Sequence, residues 1–255
     1  LAGLGAEVTA IFAEPDGANI NVGCGSMHPE ALAASVAQSG LDFGLAFDGD
    51  ADRLIAVDEA GNVVDGDAVM GICALARLEA GTLRHGILVA TVMSNGGLER
   101  AIRSAGGRMV RTPVGDRHVY EAMERTDASM GGEQSGHVIF RDLATTGDGI
   151  LTGIELVKTM RASGAKHLSP LAAQIPKLPQ VMLNSAVRHR DQWEVDPEFA
   201  AAVSRAEADL GSRGRILVRP SGTEPKIRIM VEGDDADEIN RIARELSELA
   251  RARLN

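Results

Sequence analysis

The sequence predicts an α/β protein in which mixed-sheet α/β domains are followed by a small α+β C-terminal domain. Three observations carry that prediction. Short β-patterned runs alternate with helix-patterned runs from Phe43 to Arg161, the rhythm of helices layered on sheets. Pro170, Pro176 and Pro179 then interrupt the rhythm. Beyond them the order becomes strand, helix, strand, strand, helix, and the last helix carries Ile239, Ile242, Ala243, Leu246, Leu249 and Ala250 in one stripe, wide enough to cover a small sheet. These breaks divide the chain into expected domains 1–64, 65–178 and 179–255.

Each element has its own signal. Leu1 to Gly5 reads as a helix end with its glycine stop, and Glu7 to Phe12 alternates as a strand. The chain therefore reads as a fragment that opens partway through an αβ unit. After a glycine-rich loop from Asp16 to Ser26, Pro29 suits the first turn of a helix running to about Ser39. A strand spans Phe43 to Phe47, the segment Asp48 to Arg53 interrupts it, and Leu54 to Val57 resumes the β pattern. Asp65 can cap a helix from about Asp67 to Ala80. Strand Ile87 to Thr91, helix Leu98 to Ala105, strand Arg108 to Thr112 and helix Arg117 to Arg125 follow. Met130 to Gln134 reads as a glycine-marked loop, His137 to Phe140 as a strand, and Asp148 to Arg161 as a helix. The C-terminal elements are expected at Gln180 to Ala186, Pro197 to Leu210, Arg215 to Val218, Ile227 to Val231 and Ala236 to Arg253.

Composition narrows the function. Acidic residues outnumber basic ones 36 to 26, a net charge of −10, which argues against nonspecific affinity for nucleic acid or anionic membranes. Cys24 and Cys73 form no CxxC pair, so neither a disulfide scaffold nor a thiolate metal site is supported, and a cytoplasmic protein is expected. No apolar run is long enough to span a membrane.

Three segments carry chemistry. In Asp48-Gly49-Asp50-Ala51-Asp52-Arg53, an extended backbone would put alternate carboxylates on one side. Three such charges repel unless a hard, oxygen-preferring cation such as Mg²⁺ neutralises them. Asp48, Asp50, Asp52 and Glu59 also fit positions 1, 3, 5 and 12 of an EF-hand loop, but Arg53 stands where that loop needs glycine, which rejects Ca²⁺ sensing. Arg53, beside the acidic residues, is expected to face a phosphate. Gly131-Gly132-Glu133-Gln134-Ser135-Gly136-His137 offers a carboxylate, an amide, a hydroxyl and an imidazole, a set that suits sugar hydroxyls. Arg219-Pro220-Ser221-Gly222-Thr223-Glu224-Pro225-Lys226-Ile227-Arg228 joins two strands and gathers cations, two hydroxyls and a glycine, which is anion-cradle chemistry. It lacks the Gly-Lys-Ser/Thr of a P-loop, so a small phosphorylated ligand fits better than a nucleotide.

Taken in order, DGDADR, GGEQSGH and RPSGTEPKIR resemble the α-D-phosphohexomutase superfamily. PDGANINVGCGSMHPE, TVMSNGGLE, TPVGDRHV and TTGDGILTGIEL add the wording of its aminosugar branch, as does Gln134, where the mannose and glucose branch would carry Met. Met27 and Gly96 depart from that wording. The resemblance implies phosphohexomutase-type α/β domains and an isomerase that moves a phosphoryl group between two positions of a hexosamine phosphate. It implies Mg²⁺ on Asp48, Asp50 and Asp52, Arg53 at the reacting phosphate, and Glu133 and Ser135 on sugar hydroxyls, with His137 a second catalytic candidate. Arg219, Ser221, Gly222, Thr223 and Arg228 would grip the distal phosphate. The implied partner is a sugar phosphate, with a homodimer left open. The superfamily's phosphoserine loop, Thr-Ala-Ser-His-Asn-Pro, occurs nowhere in the chain, so the fragment alone is expected to be inactive. Two rival readings stand beside this one: a phosphomannomutase or phosphoglucomutase, and a noncatalytic sugar-phosphate-binding module.

Overall fold

A computed structural model describes residues 1–255, apart from the side chain of Leu4. It divides into two compact units, Leu1–Pro176 and Lys177–Asn255.

The first unit opens with a single 3-10 turn, Ala2–Leu4, closed by Gly5 in the left-handed region. The strand expected over Glu7 to Phe12 is absent. Val8 and Phe12 are exposed, and no described strand lies alongside to satisfy the backbone N–H and C=O groups. Regular structure begins with α1 (Glu30–Ser39), where Pro29 stands just before the first turn. A three-stranded antiparallel sheet follows in the order β1 (Phe43–Phe47), β2 (Leu54–Asp58), β3 (Val63–Val64). Asp65 then caps α2 (Gly66–Glu79), its side chain accepting the Ala68 N–H at 3.1 Å.

The second sheet has the order β5-β4-β6-β7 over Arg108–Thr112, Ile87–Thr91, Met130–Gly132 and Val138–Phe140. β4 pairs in parallel with β5 and β6, and β7 runs antiparallel at the edge. Parallel neighbours need crossovers, supplied by α3 (Gly96–Ser104) and α4 (Asp116–Thr126). α5 (Gly149–Ser163) and the short α6 (Ser169–Ala172) complete the unit. All five β4 residues are buried, and the four apolar ones alternate between two cores. Leu88 and Ala90 join Met70, Leu98, Phe140 and Leu156 on one face, while Ile87 and Val89 meet Val119, Ala122 and Met123 of α4 on the other. Leu54, Ala56 and Val64 of the first sheet share the larger core.

Met130 to Gln134, expected as a loop, begins instead as buried strand β6. Gly131 and Gly132 make that possible. A Cβ on Gly131 would meet the Met123 Sδ at 2.8 Å and the Val89 carbonyl at 2.9 Å, and one on Gly132 would run into the His137 carbonyl. The glycines mark close approach of neighbouring strands rather than a turn.

The second unit is a three-stranded antiparallel sheet, β8-β10-β9, over Gln180–Ala186, Lys226–Gly233 and Gly214–Pro220. α7 (Pro197–Leu210) and α8 (Ala236–Arg253) share its core, with Phe199 and Val203 meeting Ile227, Ile229, Val231 and the predicted α8 stripe. The Glu232 side chain is fully buried and ion-paired with Arg215, Nε to Oε1 3.0 Å. No described helix is long and apolar enough to cross a membrane.

Candidate active site

The Asp48–Arg53 segment is the connection of the β1–β2 hairpin, whose last paired residues are Phe47 and Leu54. Its carboxylates converge, but not along an extended backbone. The loop folds back on itself, with the Ala51 N–H on the Asp48 carbonyl at 3.1 Å and Ala51 in the left-handed region at φ 58°. Ligand atoms of Asp48, Asp50 and Asp52 thereby lie within 4.8 Å of one another. Asp52 Oδ1 is buried with no hydrogen-bond partner. Desolvation, then the adjacent Asp48, holds the Asp52 carboxyl above the ordinary carboxylate range, while His137 opposes the shift. A carboxylate trio with an orphaned buried oxygen fits a hard divalent cation. Arg53 Nε lies 3.6 Å from both Asp48 and Asp52, too far for close ion pairs.

The Glu133–His137 turn interlocks with that hairpin. The Leu54 N–H donates to the Gly136 carbonyl at 3.0 Å, and Arg53 and His137 form an antiparallel bridge. Gly136 is obligatory here: its φ is 97°, and a Cβ would strike the Leu54 carbonyl. Glu133 Oε1 accepts the Gly115 N–H at 2.8 Å, and the Ser135 hydroxyl lies 3.4 Å from Oε2. His137 is 5% exposed, with Nδ1 3.9 Å from Asp52 Oδ2 and Nε2 buried without a protein partner. The structure therefore brings Asp48, Asp50, Asp52, Arg53, Glu133, Ser135 and His137 to one surface. That surface follows the carboxyl ends of β4, β5 and β6, where the connections leave the sheet in opposite directions and α/β proteins bind ligands.

Two supporting positions were not identified from the sequence. Gly115 caps α4 and ties it to Glu133, and Gly147 lies flat against the imidazole, where a Cβ would overlap the His137 ring. The glycine-bearing strings TPVGDRHV and TTGDG are the only sequence signal for either. The next residue but one, Gly149, donates its N–H to the Ala51 carbonyl at 2.8 Å, anchoring the same segment to the acidic hairpin. Gly147→Ala is expected to cost about 1–3 kcal/mol by overpacking and to move the His137 ring. Thermal melts, with imidazole resonances in NMR spectra, check this; an unmoved ring at wild-type stability would remove Gly147 from the site's scaffold.

The 220–226 connection belongs to the second unit. Arg219 and Arg228 are direct cross-strand partners, and neither makes an ion pair among the described residues. Like charges placed opposite each other destabilise a ladder unless an anion lies between them. Ser221 is buried, its N–H on the Lys226 carbonyl at 2.9 Å and its hydroxyl 3.3 Å from the Glu224 N–H. Gly222 does not have a positive φ, and a Cβ there would meet nothing within 4 Å, so the fold itself imposes no need for glycine. Thr223 is exposed beside it.

The first unit thus carries an acidic hairpin locked to a polar turn on its α/β/α layers, and the α+β second unit carries the loop between Arg219 and Arg228. The α/β/α domain III of the phosphoglucomutase/phosphomannomutase family matches residues 65–178, and that family's C-terminal domain matches 182–249. The chain belongs to this phosphohexomutase superfamily. It is 54% identical over 247 residues to a phosphoglucosamine mutase of Moorella thermoacetica and 53% identical over 251 residues to one of Symbiobacterium thermophilum. The alignments take in 97% and 98% of this chain but 55% and 56% of those relatives, so it spans about half their length. Among solved structures, a phosphoglucomutase/phosphomannomutase family protein from Burkholderia thailandensis superposes with a TM-score of 0.81 at 25% identity, covering 99% of this chain and 56% of that one. An Aspergillus fumigatus N-acetylphosphoglucosamine mutase, solved with GlcNAc-6P and magnesium, shares the fold with a TM-score of 0.72 at 22% identity, covering 92% of this chain and 54% of that one.

Proposed function

We propose that this chain is the part of a phosphoglucosamine mutase, organised as 1–64, 65–178 and 179–255, that holds the metal, the sugar and the distal phosphate. In the complete enzyme it would interconvert glucosamine 6-phosphate and glucosamine 1-phosphate through a bisphosphate. The interlocking of the acidic hairpin with the Glu133–His137 turn carries this reading, because it joins a cation site to a sugar-reading carboxylate. Asp48, Asp50 and Asp52 would hold Mg²⁺, which when bound neutralises charge on a transferring phosphoryl group. Arg53 has no partner for its terminal nitrogens among the described residues, leaving its fork available to phosphate oxygens. His137, whose Nδ1 lies 3.9 Å from Asp52 Oδ2, would stand beside the reacting phosphate as a second catalytic group. Glu133, with Ser135 beside it, would accept from sugar hydroxyls. Arg219, Ser221, Gly222, Thr223 and Arg228 would hold the other phosphate of either isomer, which lets the bisphosphate reverse without a second grip.

A chimera that places the unmatched part of the Moorella thermoacetica relative ahead of this chain tests the reading. It is expected to interconvert the two glucosamine phosphates, whereas the 255-residue chain alone should bind glucosamine 6-phosphate weakly without turnover. A folded chimera active only on mannose or glucose phosphates would transfer the chain to the other branch. In the same chimera, Glu133→Gln keeps an oxygen for the Gly115 N–H but loses the charge. Activity is expected to fall about 10- to 100-fold, the worth of a charged hydrogen bond, with an unchanged melting temperature. A large drop in melting temperature would make Glu133 structural instead.

A further inference from the structure

Arg190 stands outside every motif above, on the 3-10 turn Arg190–Gln192 between β8 and α7. Its guanidinium reaches the 220–226 loop and donates through Nη1 to the Glu224 carbonyl and through Nη2 to the Gly222 carbonyl, the latter at 3.5 Å. Its carboxylate neighbour is Asp191, at 3.8 Å. The segment that presents it is fixed at several points. The Val187 N–H donates to the Pro225 carbonyl at 3.0 Å, and the N–H groups of Arg188 and His189 donate to the Leu254 carbonyl at 3.0 and 2.8 Å. Trp193 then packs on the core of the unit.

An anion cradle needs its peptide N–H groups turned inward and its carbonyls turned away, since a carbonyl oxygen repels a phosphate oxygen. The Gly222 and Thr223 N–H groups make no hydrogen bond within the described residues, while the Gly222 and Glu224 carbonyls are engaged by Arg190. We infer that Arg190 is a positioning residue of the phosphate loop: from a fixed platform it holds the Gly222–Thr223 peptide by its carbonyl, which turns the opposed Thr223 N–H toward the anion that Arg219 and Arg228 attract, while its bond to the carbonyl of the Glu224–Pro225 peptide, which has no N–H, anchors the far end of the loop. This rests on the phosphate reading of the loop given above. A planar fork is suited to the task because two carbonyls two residues apart can be engaged by one guanidinium, whereas a lysine ammonium would bind one of them as a point charge.

The test uses the whole 255-residue chain, titrated with inorganic phosphate and separately with glucosamine 6-phosphate, followed by amide NMR shifts. Arg190→Ala is expected to weaken phosphate binding about five- to tenfold at an unchanged melting temperature, and to shift the Gly222 and Thr223 amides in the free protein. Arg190→Lys should recover only part of the affinity. Wild-type affinity in Arg190→Ala, or full recovery in Arg190→Lys, would overturn the bridging role, the latter by showing that charge alone suffices. If Arg190→Ala unfolds, Arg190→Gln, which keeps donors without the fork or charge, takes its place with the same expectations. Should the unmodified chain show no phosphate shifts near Ser221, the phosphate reading of the loop fails, a result distinct from failure of Arg190's role alone.

Discussion

Asp50→Asn is expected to weaken Mg²⁺ binding by on the order of a hundredfold. Three carboxylates with ligand atoms within 4.8 Å of one another attract a divalent cation jointly. A unit charge about 4 Å from another is worth roughly 4 kcal/mol at an effective dielectric of 20, and water repays part of that when one carboxylate becomes an amide. The same substitution should leave the metal-free protein at least as stable, because it removes a like charge from a crowded loop. Calorimetric titration with Mg²⁺, paired with thermal melts in chelator, reads both effects. Unchanged affinity would remove the trio as a metal site, and a large loss of metal-free stability would make Asp50 a structural residue.

The second large effect concerns Asp67, on the first turn of α2. Its carboxylate accepts the Asn95 N–H at 2.7 Å while Oδ1 is buried without a partner. Burial raises its pKa to about 6, against the Asn95 N–H bond and the nearby Ser94 hydroxyl, which lower it. The folded value lies above the unfolded one, near 3.9, so the folded state favours the protonated acid. That contribution is fully present below about pH 4 and is lost as pH rises through about 6, a change of roughly 3 kcal/mol. Asp67→Asn retains an acceptor for Asn95 and does not titrate. Relative to the parent, its stability is therefore expected to rise by about that amount between pH 4 and pH 7, then to level off. Urea unfolding of both proteins across this range isolates the effect, and a pH-independent difference would show that Asp67 does not titrate as an isolated buried acid.

Where information was local, the sequence was sufficient. Asp65 caps α2 as its position before an apolar run requires, and the α8 stripe covers its sheet because 3.6-residue spacing places those six side chains on one face. The side-chain types that the three loops offer, carboxylates, hydroxyls and guanidinium groups, were equally legible, since they depend on no neighbour. Tertiary structure decided everything that depends on a neighbour distant in sequence. Glu7 to Phe12 has a strand's pattern but no strand beside it, and Gly131-Gly132 has a loop's composition but lies in a buried strand that admits only glycine. The acidic trio converges through a left-handed Ala51 and a back-folded turn, not through strand alternation. His137 meets Asp52, Glu133 meets Gly115, and Arg190 meets the 220–226 loop only once the chain has folded, because hydrogen bonds and steric fit act over a few ångströms, whatever the number of residues between the partners.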